Sequence, residues 1–270
     1  MVRIILVLAA MAGLTACQTA PSANAGFLSG YDGLVQREDT LRAAIRQKRE
    51  EAAAQAIELV FIEPAVLQPG AARGLTEREL SLVLGEVDRQ ICYEVSERFT
   101  LAETARPDAA RLRSAVVAVR PTGAAASALS AAANFFIPGP IGVRAPGTTG
   151  GLAVEAELLA PDGRQVAALT WGRNANVVGT DNPSLSRVGD ALQFAEPLGD
   201  AVADAFAPAG RAARAIPNPD PCARFGPRSQ PGGFLARMAT GLYVPQLSGA
   251  RAQPPPPPAS PAPPAGVSPH

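Results

Sequence analysis

The sequence has very few of the residues that enzymes use for acid–base chemistry. Its one histidine, His270, is the last residue, and its one lysine is Lys48. Ser-His-Asp and Cys-His sites need an imidazole beside the nucleophile, and no imidazole precedes the final residue. Lys48 lies in a strongly charged stretch, where we expect its amine to stay protonated and not to activate a serine. We therefore predict a non-catalytic protein without a cofactor.

Other kinds of binding site also lack their characteristic residues. The glycine-rich stretch Gly147–Gly151 lacks the Gly-Lys-Ser/Thr ending and the following helix of a phosphate loop. Without an internal histidine, a metal site is not expected. The 24 basic and 24 acidic residues balance and are interspersed, so the chain has no basic stripe of the kind that binds nucleic acid. We predict neither a metal nor a nucleic acid as a partner.

The N-terminus has the pattern of an export signal. Arg3 precedes the apolar run Ile4–Leu14, which is shorter than the roughly 20 residues that cross a membrane. The next residues, Leu14-Thr15-Ala16-Cys17, resemble the lipobox of bacterial lipoproteins. That resemblance implies cleavage before Cys17, attachment of lipid to this cysteine, and anchoring of the mature chain to a membrane. Several acyl chains hold a protein stably, since each buried CH₂ contributes about 0.8 kcal/mol.

The residue after the lipidated cysteine bears on the choice of membrane. In the sorting rule that accompanies the lipobox resemblance, an aspartate at this position retains a lipoprotein at the inner membrane. Here the residue is Gln18, so the resemblance implies the periplasmic face of the outer membrane. The alternative is cleavage after Ala23-Asn24-Ala25, which would release a soluble periplasmic protein, although this motif lies far beyond the apolar run.

Two cysteines remain once Cys17 carries lipid. Cys92 and Cys222 would share an oxidising compartment, where an even number of cysteines favours a disulfide. Such a bridge would contribute on the order of 4 to 5 kcal/mol in the chain-entropy model, because the loop that it closes is long. The alternative is a buried Cys92 that acts as a small hydrophobic residue and a free thiol at Cys222.

Composition divides the chain into four parts. We expect a signal peptide (1–16), a lipidated tether (17–38), an α+β periplasmic domain (39–207) and a Pro-rich, largely disordered tail (208–270). Phe27–Tyr31 is a candidate docking point within the tether. In the tail, Phe234–Val244 is a weakly apolar island that fits a short amphipathic helix docked on the domain or on a partner, and the prolines Pro254–Pro258 favour polyproline II.

Hydrophobic periodicity predicts the order β-α-β-β-β-α for the domain, after a polar helix over Asp39–Ala56. The chain fits a mixed sheet with helices packed on one face, a common α+β architecture. The first predicted elements are a strand at Ile57–Glu63, a helix capped by Thr76 and Glu79, and a strand at Arg113–Arg120 parallel to the first. They are followed by a hairpin of Leu152–Leu159 and Val166–Arg173 turning at Gly163, and by a helix from Ser184 or Ser186 to Ala205, kinked or split at Pro197.

This arrangement resembles DUF3313, a family of bacterial lipoproteins of unknown function. The features that carry the resemblance are the lipobox, the segment Gly26–Tyr31, the first strand and helix of the domain, and the segments Gly151–Glu157 and Asp162-Gly163. It covers roughly residues 27–206. The charged stretch at Asp39–Ala56 and the cysteine-containing tail depart from the family pattern. The resemblance implies an envelope lipoprotein and supplies no catalytic residues.

Few side chains stand out as candidates for binding. Trp171, the lone tryptophan, is either an interface anchor or a core residue, the latter being favoured. Phe135 and Phe136, between small residues and prolines, either line a lipid groove or form a buried connection. Glu155 and Glu157 lie on one face of a predicted strand, and we expect them to face solvent rather than to form a glycosidase-like carboxylate pair.

Two functional hypotheses follow. The first is a non-catalytic outer-membrane lipoprotein whose periplasmic domain binds an envelope partner, either a protein or peptidoglycan. The second is a carrier of a lipid or other apolar ligand in a groove near Phe135 and Phe136. A carrier predicts an open apolar cavity, whereas a binding module predicts a filled core and an exposed apolar patch.

Overall fold

The computed structural model describes residues 24–40, 42–124, 127, 130–131, 142–144 and 149–253. These residues form α+β structure around a mixed sheet. The strands are β1 (Val35–Gln36), β2 (Ala44–Arg49), β3 (Leu59–Ile62), β4 (Val66–Leu67), β5 (Thr100–Leu101), β6 (Ala110–Arg120), β7 (Gly142–Val143), β8 (Gly151–Leu159), β9 (Gln165–Asn174) and β10 (Val178–Gly179). The helices are α1 (Glu51–Gln55), α2 (Glu77–Ser96), α3 (Gly189–Phe206) and α4 (Pro231–Thr240).

The main sheet combines parallel and antiparallel pairs. Its strand order is β1-β2-β9-β8-β6-β3-β5, and β4 also pairs with β6. β3 is parallel to β6, as the strand–helix–strand pattern predicts, and β8 is antiparallel to both of its neighbours, β6 and β9. α3 packs on β8 and β9, and α2 packs against α3. The predicted order β-α-β-β-β-α is confirmed by β3, α2, β6, β8, β9 and α3.

Two local sequence signals are confirmed, the capping box that starts α2 and the glycine turn of the hairpin. Thr76 caps α2, because its hydroxyl accepts a hydrogen bond from the Glu79 amide while the Glu79 carboxylate accepts one from the Thr76 amide. Gly163 has φ of 85° in the turn between β8 and β9, a conformation that only glycine adopts freely. These local rules therefore determine where the core elements start and turn.

The start of α3 differs from the expected serine cap. The helix follows Val188, which makes no side-chain cap, and the Asp190 amide instead donates to the hydroxyl of Thr122. The Asp190 carboxylate accepts from the Arg144 guanidinium at 2.6 Å and from the Gly150 amide at 2.6 Å. The cap is therefore supplied by residues far away in sequence. Pro197 lies inside α3 without splitting it.

The predicted helix over Asp39–Ala56 is wrong. Ala44–Arg49 is strand β2, which pairs antiparallel with β9, and only Glu51–Gln55 is helical. Charged side chains suit the exposed face of a helix and of a strand equally well, so their presence did not identify the element. Pairing with β9 supplies backbone hydrogen bonds that local helix propensity does not outweigh.

The chain beyond α3 packs on α2 as far as Gln253, further than a disordered tail from residue 208 would. Cys92 of α2 and Cys222 form a disulfide with an S–S distance of 2.12 Å. Arg228 donates to the Tyr93 carbonyl at 3.0 Å and to the Ser96 hydroxyl at 2.7 Å. Frequent prolines are compatible with these side-chain contacts and with helix α4 in the same segment. Residues 254–270 lie outside the described residues.

The end of this segment lies directly against α2. The Gln253 amide donates to the Ser81 carbonyl at 2.9 Å, and its side chain donates to Asp88 at 2.7 Å. Gly85 makes this approach feasible, since a Cβ there would lie 2.7 Å from the Gln253 nitrogen and 2.9 Å from the Ala252 carbonyl carbon. A larger residue would push the segment off the helix. Within the part of the chain that is described, no helix is long and apolar enough to cross a membrane.

Candidate functional site

Glu155 and Glu157 lie on the face of β8 that points away from α3. Their neighbours Val154, Ala156 and Leu158 belong to the main hydrophobic core, so the alternation of the strand places both carboxylates on the opposite face. Both glutamates are nevertheless fully buried, with 0% exposure. A buried carboxylate is costly unless donors surround it. The donors identify what covers this face of the sheet.

The N-terminal segment supplies those donors. Glu155 accepts from the Ala25 amide at 2.7 Å, the Phe27 amide at 3.1 Å and the Tyr31 hydroxyl at 2.6 Å. Glu157 accepts from the Ser29 amide at 2.8 Å and from its hydroxyl at 3.0 Å. Hydrogen bonds of this kind to an ionised acceptor are roughly twice as strong as neutral ones. We call the segment Ala25–Tyr31 the N-terminal latch.

Neighbouring strands complete the site of the latch. Gln165 of β9 donates to Glu157 at 2.7 Å, and Arg113 of β6 lies 3.4 Å from the same carboxylate. The Arg113 guanidinium also lies 4.9 Å from the ring centroid of Phe27. Phe27 packs on a small apolar cluster of Ala115, Val117 and Ala153. Burial and the hydrogen bond to Glu155 raise the pKa of Tyr31, so its hydroxyl keeps its proton and remains a donor.

The latch shortens the connection between Cys17 and the folded body. Residues 17–38 were expected to form the tether, whereas Ala25 is already bound to the sheet. Eight residue steps separate Cys17 from Ala25. A fully extended chain of that length spans at most about 28 Å. A lipid on Cys17 would therefore keep the body close to the bilayer.

A second feature is a groove of about 680 Å³ between α2, α3 and α4. It is lined mainly by charged and polar side chains. Glu86 and Arg89 form a buried ion pair on α2, with a nitrogen–oxygen distance of 2.5 Å, and Arg173 pairs with Asp181 near the end of β9. The other lining residues include Tyr93, Glu94, Glu196, Phe234 and Arg237. Such a surface suits a polar or charged ligand better than an apolar one.

Burial raises the pKa of two carboxyl groups on the wall of this groove. Burial and the adjacent Asp200 carboxyl raise the pKa of Glu94 to about 7. Burial likewise raises the pKa of Glu86, against the attraction of Arg89. Among the described residues, no three His, Cys, Asp or Glu side chains are grouped so as to hold a metal ion. The groove presents hydrogen-bond donors and acceptors to whatever binds there.

The residues singled out from the sequence do not form one site. Trp171 is 1% exposed and belongs to the core, on the α3 side of the sheet. Phe135, Phe136 and Cys17 lie outside the described residues. Cys92 and Cys222 join α2 to the C-terminal segment and lie apart from the latch.

Glu155 and Glu157 are the residues that sequence reasoning misplaced. Their predicted location on one strand face is right, but the expectation that they face solvent is wrong, because the latch covers them. The available signal was the candidate docking segment Phe27–Tyr31, which has a tyrosine hydroxyl and free backbone amides. An alternating strand that carries two carboxylates needs such donors if both of its faces are covered.

Comparison with known proteins identifies the family to which the chain belongs. Two PelC dodecamer structures from Paraburkholderia phytofirmans, one of them a variant, are 13% and 14% identical to this chain. Each comparison covers 64% of this chain and 99% of PelC, with a TM-score of 0.34, which is too low to support an argument. No curated protein matches. A family model described as a protein of unknown function, DUF3313, matches residues 23–202. The chain belongs to the DUF3313 family.

Proposed function

We propose that this protein is a lipid-anchored lipoprotein of the outer membrane whose folded body binds an envelope partner, either a protein or peptidoglycan, without catalysing a reaction. The observation that carries the proposal is the N-terminal latch. Two buried glutamates bind the segment that begins eight residue steps after Cys17. A chain whose only task was to release a soluble body would need no such attachment of its tether.

The latch supports a role for the folded body at a limited distance from the membrane. The short connection limits the distance from the lipid to about 28 Å, and the buried carboxylates resist release of the segment. A lipid anchor of several acyl chains is stable without a membrane-spanning helix. The body would therefore meet partners that lie at or near the bilayer surface.

The charged groove suits a polar partner better than the apolar ligand of a carrier. A carrier of a lipid or other apolar ligand needs an apolar cavity. The groove between α2, α3 and α4 instead has arginine and glutamate side chains on its walls. Polar partners such as a protein surface or a glycan strand suit these donors and acceptors.

The anchor is tested by metabolic labelling in cells. We expect labelled palmitate to enter the intact protein and not a Cys17→Ala variant, and we expect the variant to leave the membrane fraction. A Cys222→Ala variant is the matched control and should still take up label. Unlabelled wild-type protein, or a Cys17→Ala variant that stays with the outer membrane, would overturn the proposal.

The partner is identified by crosslinking in the intact envelope, followed by mass spectrometry of the captured molecules. We expect one envelope protein or a peptidoglycan fragment to be attached reproducibly to groove residues. Substituting Glu196→Lys on the groove should abolish the capture and leave the lipid label unchanged. Recovery of bound lipid in place of a crosslinked partner would favour the carrier.

A further inference from the structure

Helix α4 exposes an apolar stripe. Phe234, Leu235 and Met238 are 53%, 63% and 71% exposed. At about 100° per residue, they occupy one arc of about 100° on the helix surface. A stripe of this width on a soluble helix is normally buried against another element. Nothing among the described residues covers this one, so it is available to an external surface.

The opposite side of α4 is already attached to the body. A Cβ at Gly233 would lie 2.8 Å from the Ser248 Cα and 3.0 Å from the Leu247 carbonyl oxygen, so the helix rests directly on this backbone. Gly241 ends the helix with φ of 68°. The glycine side therefore fixes the orientation of the helix, and the apolar stripe points outward.

The latch and α4 approach the same end of the body. Ala25 binds Glu155 and Ser29 binds Glu157, so the first residue of the latch lies nearer to the end of β8 that begins with Gly151. The residues after α4 reach the same end, because the Tyr243 amide donates to the Pro183 carbonyl just before α3. The first turn of α3 is bound to Gly150, beside the start of β8.

The chain segment that contains α4 carries charge of one sign. No acidic residue occurs from Pro221 to His270, whereas arginines stand at 224, 228, 237 and 251. Arg228 is neutralised by Asp220, but Arg237 is exposed and borders the stripe, 5.8 Å from the Phe234 ring centroid. An apolar stripe with a cationic border is the pattern of a helix that lies in the interface of an anionic bilayer.

We propose that α4 is a second membrane contact, with its apolar stripe inserted at the headgroup level of an anionic lipid surface and Arg237 bound to phosphate groups. The inference rests on the proposed lipid anchor, which brings this end of the body within reach of the bilayer. Together, the lipid and α4 fix the orientation of the body, so that the groove beside α4 opens at the membrane surface.

The test uses the full lipidated protein in vesicles of phosphatidylethanolamine and phosphatidylglycerol that contain a photoactivatable phospholipid. After illumination and digestion with trypsin, we expect label on the peptides Ser229–Arg237 and Met238–Arg251. The combined change Phe234→Ser, Leu235→Ser and Met238→Ser should reduce that label roughly tenfold, because the apolar area that drives insertion is lost. Arg237→Gln alone should reduce it less, and phosphatidylcholine vesicles should reproduce that reduction.

The control is Val66→Ser, a change at another exposed apolar residue, on β4, which should leave the label on α4 unchanged. Label confined to the N-terminal peptide, or equal labelling of the triple variant, would refute the membrane contact. Crosslinking of α4 to a second copy or to another protein instead of lipid would also refute it. The mass of the N-terminal peptide reports lipid on Cys17 separately. If that lipid is absent, vesicle flotation of the chain with and without the triple change still tests α4.

Discussion

Glu155 lies inside the protein, and its carboxylate binds donors that are 124 to 130 residues away in sequence. Glu157, two residues further along β8, is bound in the same way, with the amide and hydroxyl of Ser29 as its main donors. A glutamate buried without donors would cost several kcal/mol, so the folded sheet and the latch depend on each other. Single side chains thus connect the N-terminal segment of the chain to its core.

The first prediction concerns the charge on Glu155. Glu155→Gln keeps one acceptor oxygen but turns an amide NH₂ toward the donors of the latch. We expect the free energy of unfolding to fall by about 2–3 kcal/mol and the amides of Ala25 and Phe27 to lose protection from hydrogen exchange. Mass spectrometry of hydrogen exchange measures the release. Glu63→Gln, which loosens a partly exposed ion pair with Arg111, is the control and should change little.

The second prediction concerns pH. The pKa of Glu94 is raised from 4.5 to about 7, so the folded chain binds this proton more tightly than the unfolded chain. The contribution to stability is therefore complete below the unfolded value and is lost as the pH rises through about 7. We expect Glu94→Gln to flatten the decline in the urea midpoint between pH 5 and pH 7.5. A decline as steep as in wild type would contradict the assignment, and the exposed Glu77→Gln is the control.

The misplacement of Glu155 and Glu157 in the sequence analysis has a simple physical origin. Alternation along a strand identifies which residues share a face, and that prediction is right. It does not report whether the second face is covered, and charged residues on such a face are usually solvated. The cover here comes from a segment far away in sequence, through backbone amides that carry no residue-specific signal.

At the scale of elements, local rules succeeded where the signal is itself local. The capping box at Thr76, the glycine turn at Gly163 and the hydrophobic period of α2 each depend on neighbours within a few residues. They failed for β2, where Ile45 pairs with Trp171 of the adjacent strand and the strand forms because it pairs with β9. They failed again at α3, whose first turn is bonded to Thr122 instead of a serine of its own.

The third prediction tests the contact between α2 and the C-terminal segment. Gly85→Ala should improve the helix by about 1 kcal/mol if nothing else changed. In the full chain the new methyl group would meet the backbone at Gln253, so we expect a net loss of stability. In a chain that stops at Ala250, the same substitution should be stabilising. Denaturant unfolding of the four proteins measures this reversal of sign, and the same sign in both backgrounds would disprove the contact.

At the scale of the whole molecule, the chain after α3 turns back over α2. The β-sheet thus has the helices on one face and the latch on the other, and α2 is covered in turn by residues that follow the disulfide at Cys222. Composition alone suggested a disordered tail from residue 208, since frequent prolines are typical of such tails. The cysteine pair was the sequence feature that pointed to attachment.

The fourth prediction concerns that attachment. The disulfide joins residues 130 positions apart, so it restricts a large part of the unfolded chain. In the chain-entropy model, removing it by Cys92→Ala with Cys222→Ala lowers the free energy of unfolding by about 4–5 kcal/mol. Urea unfolding of oxidised, reduced and double-variant protein measures the loss, and reductant should have no further effect on the variant.

Arg228 and Gln253 should still hold the segment on α2 under native conditions, because their bonds do not depend on the bridge. Hydrogen exchange would then show weakened but measurable protection at the Cys222–Gln253 amides. Complete loss of protection would mean that the bridge alone attaches the segment.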